Sequence, residues 1–185
     1  NKIIKTIKDL CEKGNEEWNH QYCFPHGVTT RTVNIDSPGY NLNKWSRLKP
    51  IIDNFKPKDK TFLDVGCSDG FYSIEIAKMG AKKVFGTDLD PLRIRRANFA
   101  KQVLSIDNVI FDTLDLYKIK DSIKYDFVIA LGLLHRIPDI DSFLEKVCDI
   151  TDCVIVEFKS LNSERDSFID KKGKTKSNEF NGLFK

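Results

Sequence analysis

The sequence predicts an α/β protein built on a doubly wound, mostly parallel sheet with helices on both faces. Three observations carry this. Thr61–Asp90 (TFLDVGCSDGFYSIEIAKMGAKKVFGTDLD) runs from a short apolar stretch through a glycine turn and a helical stretch to a second apolar run. Tyr125–Leu131 is nearly all apolar, as a central strand covered on both faces must be. Helical and strand patterns then alternate as far as Phe158, which is how βαβ units read in sequence.

Asn1–Trp18 carries Ile3, Ile4, Ile7, Leu10 and Cys11 at helical spacing, so a helix packed on the domain is expected. His20–Tyr40 mixes Pro, Gly, Thr and aromatics and predicts irregular structure. Leu42–Phe55 is a helix stopped by Lys56-Pro57. Thr61–Val65 is the first strand, Gly66–Gly70 a turn, Phe71–Met79 a helix and Lys82–Thr87 the second strand. Asp90 caps the next helix and Pro91 opens it, running to about Leu104. Asn108–Phe111 is the third strand, with Asp112-Thr113-Leu114-Asp115 just beyond it. Tyr125–Leu131 is the fourth strand, Ile140–Asp149 a helix and Cys153–Phe158 the fifth strand. Lys159–Lys185 is polar, contains Lys171-Lys172-Gly173-Lys174 and shows no convincing pair of strands. The expected division is 1–43, helix and cap segment; 44–158, the ligand-binding domain; 159–185, a polar basic tail.

Composition bounds the function. A chain of 185 residues, 41% hydrophobic and 31% charged, suits one domain with a sizeable core. No apolar run approaches the ~18 residues of a membrane span, and no signal pattern is present, so a cytoplasmic protein without a membrane partner is expected. Five cysteines, an odd number lacking any C-x-x-C pair, argue for free thiols over a disulfide framework or zinc site. The first residue is Asn1, which suggests part of a longer protein. Residues 1–60 hold 11 basic and 7 acidic side chains, 61–158 hold 12 and 16, and 159–185 hold 7 and 4. The centre is acidic and the ends are basic. Basic ends suit RNA phosphates; solvated surface lysines account for them more simply.

Ligands in such sheets bind beyond the carboxyl ends of the strands, where Asp64, Gly66, Gly70 and Asp88 fall. The glycines would let the backbone approach a ligand. A dinucleotide fingerprint needs G-x-G-x-x-G. Here Ser68 replaces the middle glycine, and Asp69 sets negative charge where a pyrophosphate would sit. Carboxylates suit a ligand with an ammonium and a sulfonium, and S-adenosylmethionine (SAM) is such a ligand. Asp88 would accept the ribose hydroxyls, with Leu89 beside it and Cys67 and Ser68 in the turn. Asp112 and Thr113 would read the adenine, Asp115 being the competitor. Leu131 and Gly132 would border the sulfonium. His135, followed by Arg136, is the candidate general base, or else bonds a loop carbonyl. His20 and His26 are expected to be structural. No metal is implied.

LDVGCSDG and VFGTDLD resemble the first two SAM motifs of class I methyltransferases, and YDFVIALGLLHRI resembles that superfamily's fourth strand and the segment after it. The match covers Lys44 to Phe158. It implies a Rossmann-like sheet of order 3-2-1-4-5, counting Thr61–Val65 as strand one, with the N-terminal helix as an added element. Members resemble one another in seven strands, so the C-terminal hairpin is expected to be missing here. NIDSPGYNLNKWSRLKPII resembles the lead-in of a narrower group, the tRNA wobble-uridine 5-oxyacetyl (carboxymethyl) transferases and their relatives. That resemblance places Lys44 near the cofactor. The group has a tyrosine where this chain has Leu134, and a C-terminal arginine not found here. Both help hold a carboxylated SAM, so ordinary SAM is implied. The expected function is methyl transfer from SAM to an O or N acceptor, a small molecule ahead of tRNA. Two rivals remain. One is a hydrolase, since Gly66-Cys67-Ser68-Asp69-Gly70 matches G-x-S-x-G, although the turn follows the first strand and Asp126 and His135 come too soon after it for the usual partners. The other is a non-catalytic SAM- or nucleotide-binding module.

Overall fold

The computed structural model describes residues 18–30, 41–157, 168–169 and 175–176. Strands β1 (Cys23–Phe24) and β2 (Val28–Thr29) make a small antiparallel hairpin around Pro25–Gly27, with His26 at φ 65°. Then follow α1 (Asn41–Asn54), β3 (Thr61–Val65), α2 (Phe71–Lys78), β4 (Lys83–Asp88) and α3 (Pro91–Val103). The rest of the domain is β5 (Val109–Thr113), β6 (Phe127–Leu131), α4 (Ile140–Cys148) and β7 (Val154–Glu157).

The main sheet has the order β5-β4-β3-β6-β7, and every pair is parallel. Counted from Thr61–Val65, this is the expected 3-2-1-4-5. Successive strand residues point to opposite faces, and the two faces are covered by different helices. Phe62, Val84, Val109, Phe111 and Ile129 pack with Trp45 and Ile52 of α1, Ile74 of α2 and Ala97 of α3. Leu63, Val65, Val128 and Ala130 pack with Phe143 and Val147 of α4. The helix starts follow their caps. Asp90 accepts from Leu92 N at 2.8 Å and Asp139 from Ser142 N at 3.1 Å.

The expected helix over Asn1–Trp18 lies outside the described residues, apart from buried Trp18. Three differences matter. β5 runs two residues further than expected and takes in Asp112 and Thr113, which pair with Thr87 and Asp88. The segment after His20, expected to be irregular, contains the β1–β2 hairpin. The tail, expected to lack strands, holds a two-residue antiparallel pair, β8 (Phe168–Ile169) with β9 (Thr175–Lys176), in a sheet of its own. No helix among the described residues is long and apolar enough to cross a membrane.

Candidate cofactor site

A cavity of about 760 Å³ opens beyond the C-terminal ends of β3, β4 and β6. Asp88 ends β4 and is buried. One carboxylate oxygen accepts from Ser68 N at 2.9 Å and the other from Asp90 N at 3.0 Å. Arg93 lies 3.6 Å away. The carboxylate therefore holds the glycine turn against the start of α3 while facing the cavity. Ser68 sits at φ 55° within this bond. Asp64 is buried on β3 and accepts from Ser73 Oγ at 2.5 Å. Burial pushes its carboxyl up to about 6, against the opposing pull of Ser73 and His20. Thr87 lines the same cavity, and its buried hydroxyl has no hydrogen-bond partner among the described residues. Carboxylates, an orphaned hydroxyl and open volume fit a nucleoside with a cationic tail.

Several expectations need correction. Gly70 does not line the cavity. It stands at φ +83°, and a Cβ there would lie 2.5 Å from Phe111 Cζ and 2.8 Å from Ala97 Cβ. Its glycine serves core packing, not ligand approach. Gly66 does line the cavity, at φ +72°. Asp69 is wholly buried and turned away, accepting from Asn19 N at 2.7 Å and His20 N at 3.0 Å. Its charge is used inside the protein. Asp112 and Thr113 are exposed strand residues outside the cavity wall. Because β5 is longer than expected, Leu114, Asp115, Leu116 and Tyr117 take their place. Asp115 itself caps the turn, accepting from Tyr117 N at 3.1 Å. Leu89, 71% exposed, adds an apolar surface to the wall. Cys67 is buried, and burial pushes its thiol up, so it lines the turn as an inert residue.

At the other end, Leu131, which ends β6, Gly132 just after it and Lys44 line the cavity. Lys44 Nζ grips both carboxylate oxygens of Glu157, at 2.9 and 3.0 Å. Glu157 ends β7 and was not anticipated; a polar residue closing an apolar strand was its only signal. Tyr72 stands beside this pair, its phenol pushed up by burial first and by Glu157 next. Lys44, Tyr72, Leu131 and Glu157 also border a second, apolar cavity of about 470 Å³. His135 and Arg136 lie exposed on the far rim, Arg136 Nε donating to His135 Nε2 at 3.4 Å. The aromatics of the hairpin segment do not wall the site. Trp18, Tyr22 and Phe24 are buried against Phe71 and Phe99, and of the described residues 18–30 Asn19 and His20 reach the cavity. His20, expected to be structural, is thus also a wall residue; its Nδ1 bonds Asp69.

A family model described as a methyltransferase domain matches residues 56–177. The chain belongs to this family. It is 26% identical over 139 residues to the tRNA U34 carboxymethyltransferase of Aliarcobacter butzleri, covering 75% of this chain and 41% of that protein. It is 31% identical over 114 residues to a ubiquinone biosynthesis O-methyltransferase of a Shewanella species, covering 60% of this chain and 48% of that protein. The chain thus spans less than half the length of either relative. Among solved structures, the N-terminal domain of EvdMO1 with SAH bound matches with a TM-score of 0.71 at 17% identity, over 92% of this chain and 71% of that one. The methyltransferase fold is the one expected. The hydrolase alternative fails on geometry. Asp126 accepts from Thr61 N at 2.8 Å, at the opposite end of β3 from the Gly66–Gly70 turn.

Proposed function

We propose that the chain binds SAM in the cavity beyond β3, β4 and β6 and transfers its methyl group to an oxygen or nitrogen acceptor. The observation that carries this is the pair of buried carboxylates, Asp64 and Asp88, at the ends of adjacent strands of one cavity. Asp88 accepts one amide on each oxygen, and each oxygen keeps capacity for a ribose hydroxyl. Leu89 and the Leu114–Tyr117 turn enclose the adenine. Asp64, ionised above about pH 6, meets the ammonium. When bound, the cofactor supplies an electrophilic methyl group on its sulfonium. The residues then have to orient the acceptor in line with it, which is chiefly a matter of positioning. His135 is the base for an acceptor that must lose a proton.

Ordinary SAM is the donor, because the Lys44 charge is already met by Glu157 and Leu134 occupies the place of the narrower group's tyrosine. That choice sets the carboxymethyl reaction aside, and a small molecule is the acceptor in this reading. The names of the tRNA U34 relatives favour a second reading, a tRNA acceptor. Calorimetric titration with S-adenosylhomocysteine (SAH) and NAD tests the cofactor, and absence of SAH binding overturns it. Methyl-labelled SAM incubated with bulk tRNA tests the acceptor; label in tRNA replaces the first reading with the second.

A further inference from the structure

We propose that His20, as the imidazolium paired with Asp69, holds the carboxylate of the cofactor's amino-acid end. This rests on the SAM reading above and names a residue that sequence analysis treated as structural.

Asp69 has no solvent exposure, and a buried ionised carboxylate has to be paired and hydrogen-bonded. Two consecutive residues satisfy it. Asn19 N and His20 N donate at 2.7 and 3.0 Å, and His20 Nδ1 bonds its other oxygen. The same segment is tied down twice more: Asn19 Nδ2 donates to Ser68 Oγ at 2.6 Å and the Tyr22 hydroxyl to Asp69 O at 2.7 Å. The imidazole is clamped as well. It stacks on Phe71, with centroids 5.7 Å apart, and meets Tyr72 edge-on at 5.1 Å. A carboxylate only accepts, so Nδ1 carries a proton. That leaves Nε2 for the cavity that His20 lines.

The amino-acid end of SAM is a zwitterion. Its ammonium and carboxylate are attached to one carbon, so the anionic group that meets the ammonium needs a cationic group beside it. Asp64 and His20 share the cavity wall, close enough for His20 to act electrostatically on the Asp64 carboxyl. The other basic wall residues are committed or distant. Lys44 is held by Glu157, Arg93 lies beside Asp88 and Asp90 at the ribose end, and His135 and Arg136 are on the exposed rim. His20 is rigid, partly shielded and adjacent to the ammonium site.

The test uses three probes: SAH, its carboxylate methyl ester, and 5′-methylthioadenosine, which lacks the amino-acid end. Wild type should bind SAH roughly 10-fold or more tighter than the ester, the effect of one charge-assisted bond. His20→Gln should lose that preference while 5′-methylthioadenosine binding stays within ~2-fold. In ¹⁵N spectra of wild type, whose three histidines are assigned with His26→Gln and His135→Gln, both His20 nitrogens should be protonated in the SAH complex. Nε2 should shift with SAH and not with 5′-methylthioadenosine. The proposal is overturned if wild type binds the ester as well as SAH, if His20→Gln keeps the preference, or if Nε2 is unprotonated in the complex. Should His20→Gln fail to fold, the wild-type spectrum decides. Loss of both SAH and 5′-methylthioadenosine binding in wild type would instead remove the SAM reading itself.

Discussion

Replacing Asp88 by Ala separates ligand recognition from loop support, because the side chain performs both. Its carboxylate is 7% exposed, and its oxygens accept from Ser68 N and Asp90 N. Two charge-assisted bonds to the ribose, at about 1.5 kcal/mol each, amount to about 3 kcal/mol. That corresponds to a roughly 150-fold loss in SAH affinity. The apo protein also suffers. Ser68 N is buried with its residue, and a buried donor without an acceptor costs about 1–3 kcal/mol. Asp90 is only half-buried, so water relieves its amide. The expected stability loss is therefore about 1–3 kcal/mol, well short of the total for a domain. Calorimetry with SAH reads the first quantity and urea unfolding the second. A folded Asp88→Ala protein with unchanged SAH affinity refutes the ribose assignment. A lost affinity with unchanged stability refutes the claim that Asp88 braces the turn.

Gly70→Ala forces a side chain into a left-handed φ and against Phe111 and Ala97; together these should destabilise the protein by about 2–5 kcal/mol, read by urea unfolding. Asp64 titrates in the fold at about 6, above its ordinary 3.8. Its proton is held more tightly in the folded state, so its stabilisation is complete below about pH 3.8 and fades as pH rises through about 6. SAH affinity should run the opposite way, rising through that range as the carboxylate forms, and Asp64→Asn should flatten both profiles. Glu157→Gln removes a pair whose members are 40% and 30% exposed; a thermal melt should show a stability change of less than about 1 kcal/mol. His135→Ala should leave SAH affinity unchanged and lower turnover on whichever acceptor accepts label; equal losses in both would end its role as base.

What the sequence made legible was local. The short apolar runs, the glycine turn and the Asp90-Pro91 cap each depend on neighbours within a few residues, and each appears where expected. Asp64 and Asp88 were legible for the same reason, since a strand end and the residue after it suffice to place them. Gly70 was assigned to the wrong partner because its constraint comes from Phe111, 41 positions along the chain and two strands away in the sheet. Asp112 was chosen over Asp115 because the end of β5 was set two residues early. On a strand a small shift in length decides which side chains reach the mouth of the site. Lys44 was placed near the cofactor by resemblance, yet its grip on Glu157 spans 113 positions.

The Gly66–Gly70 turn shows why such errors can leave the functional conclusion standing. The sequence places three carboxylates near it: Asp64 and Asp69, read as unfavourable to phosphate, and Asp88, read as the ribose acceptor. Only two face the cavity; the third is spent on His20 and Asn19. If His20 holds the carboxylate of the amino-acid end as proposed, the site offers a positive group beside its two carboxylates, which matches an amino-acid nucleoside better than negative charge alone would. The same turn joins the core through Gly70 and the N-terminal segment through Asp69, and it presents Gly66 and Ser68 to the cavity. A substitution that loosens the Asp69–His20 pair should therefore weaken cofactor binding even though Asp69 never reaches the cavity.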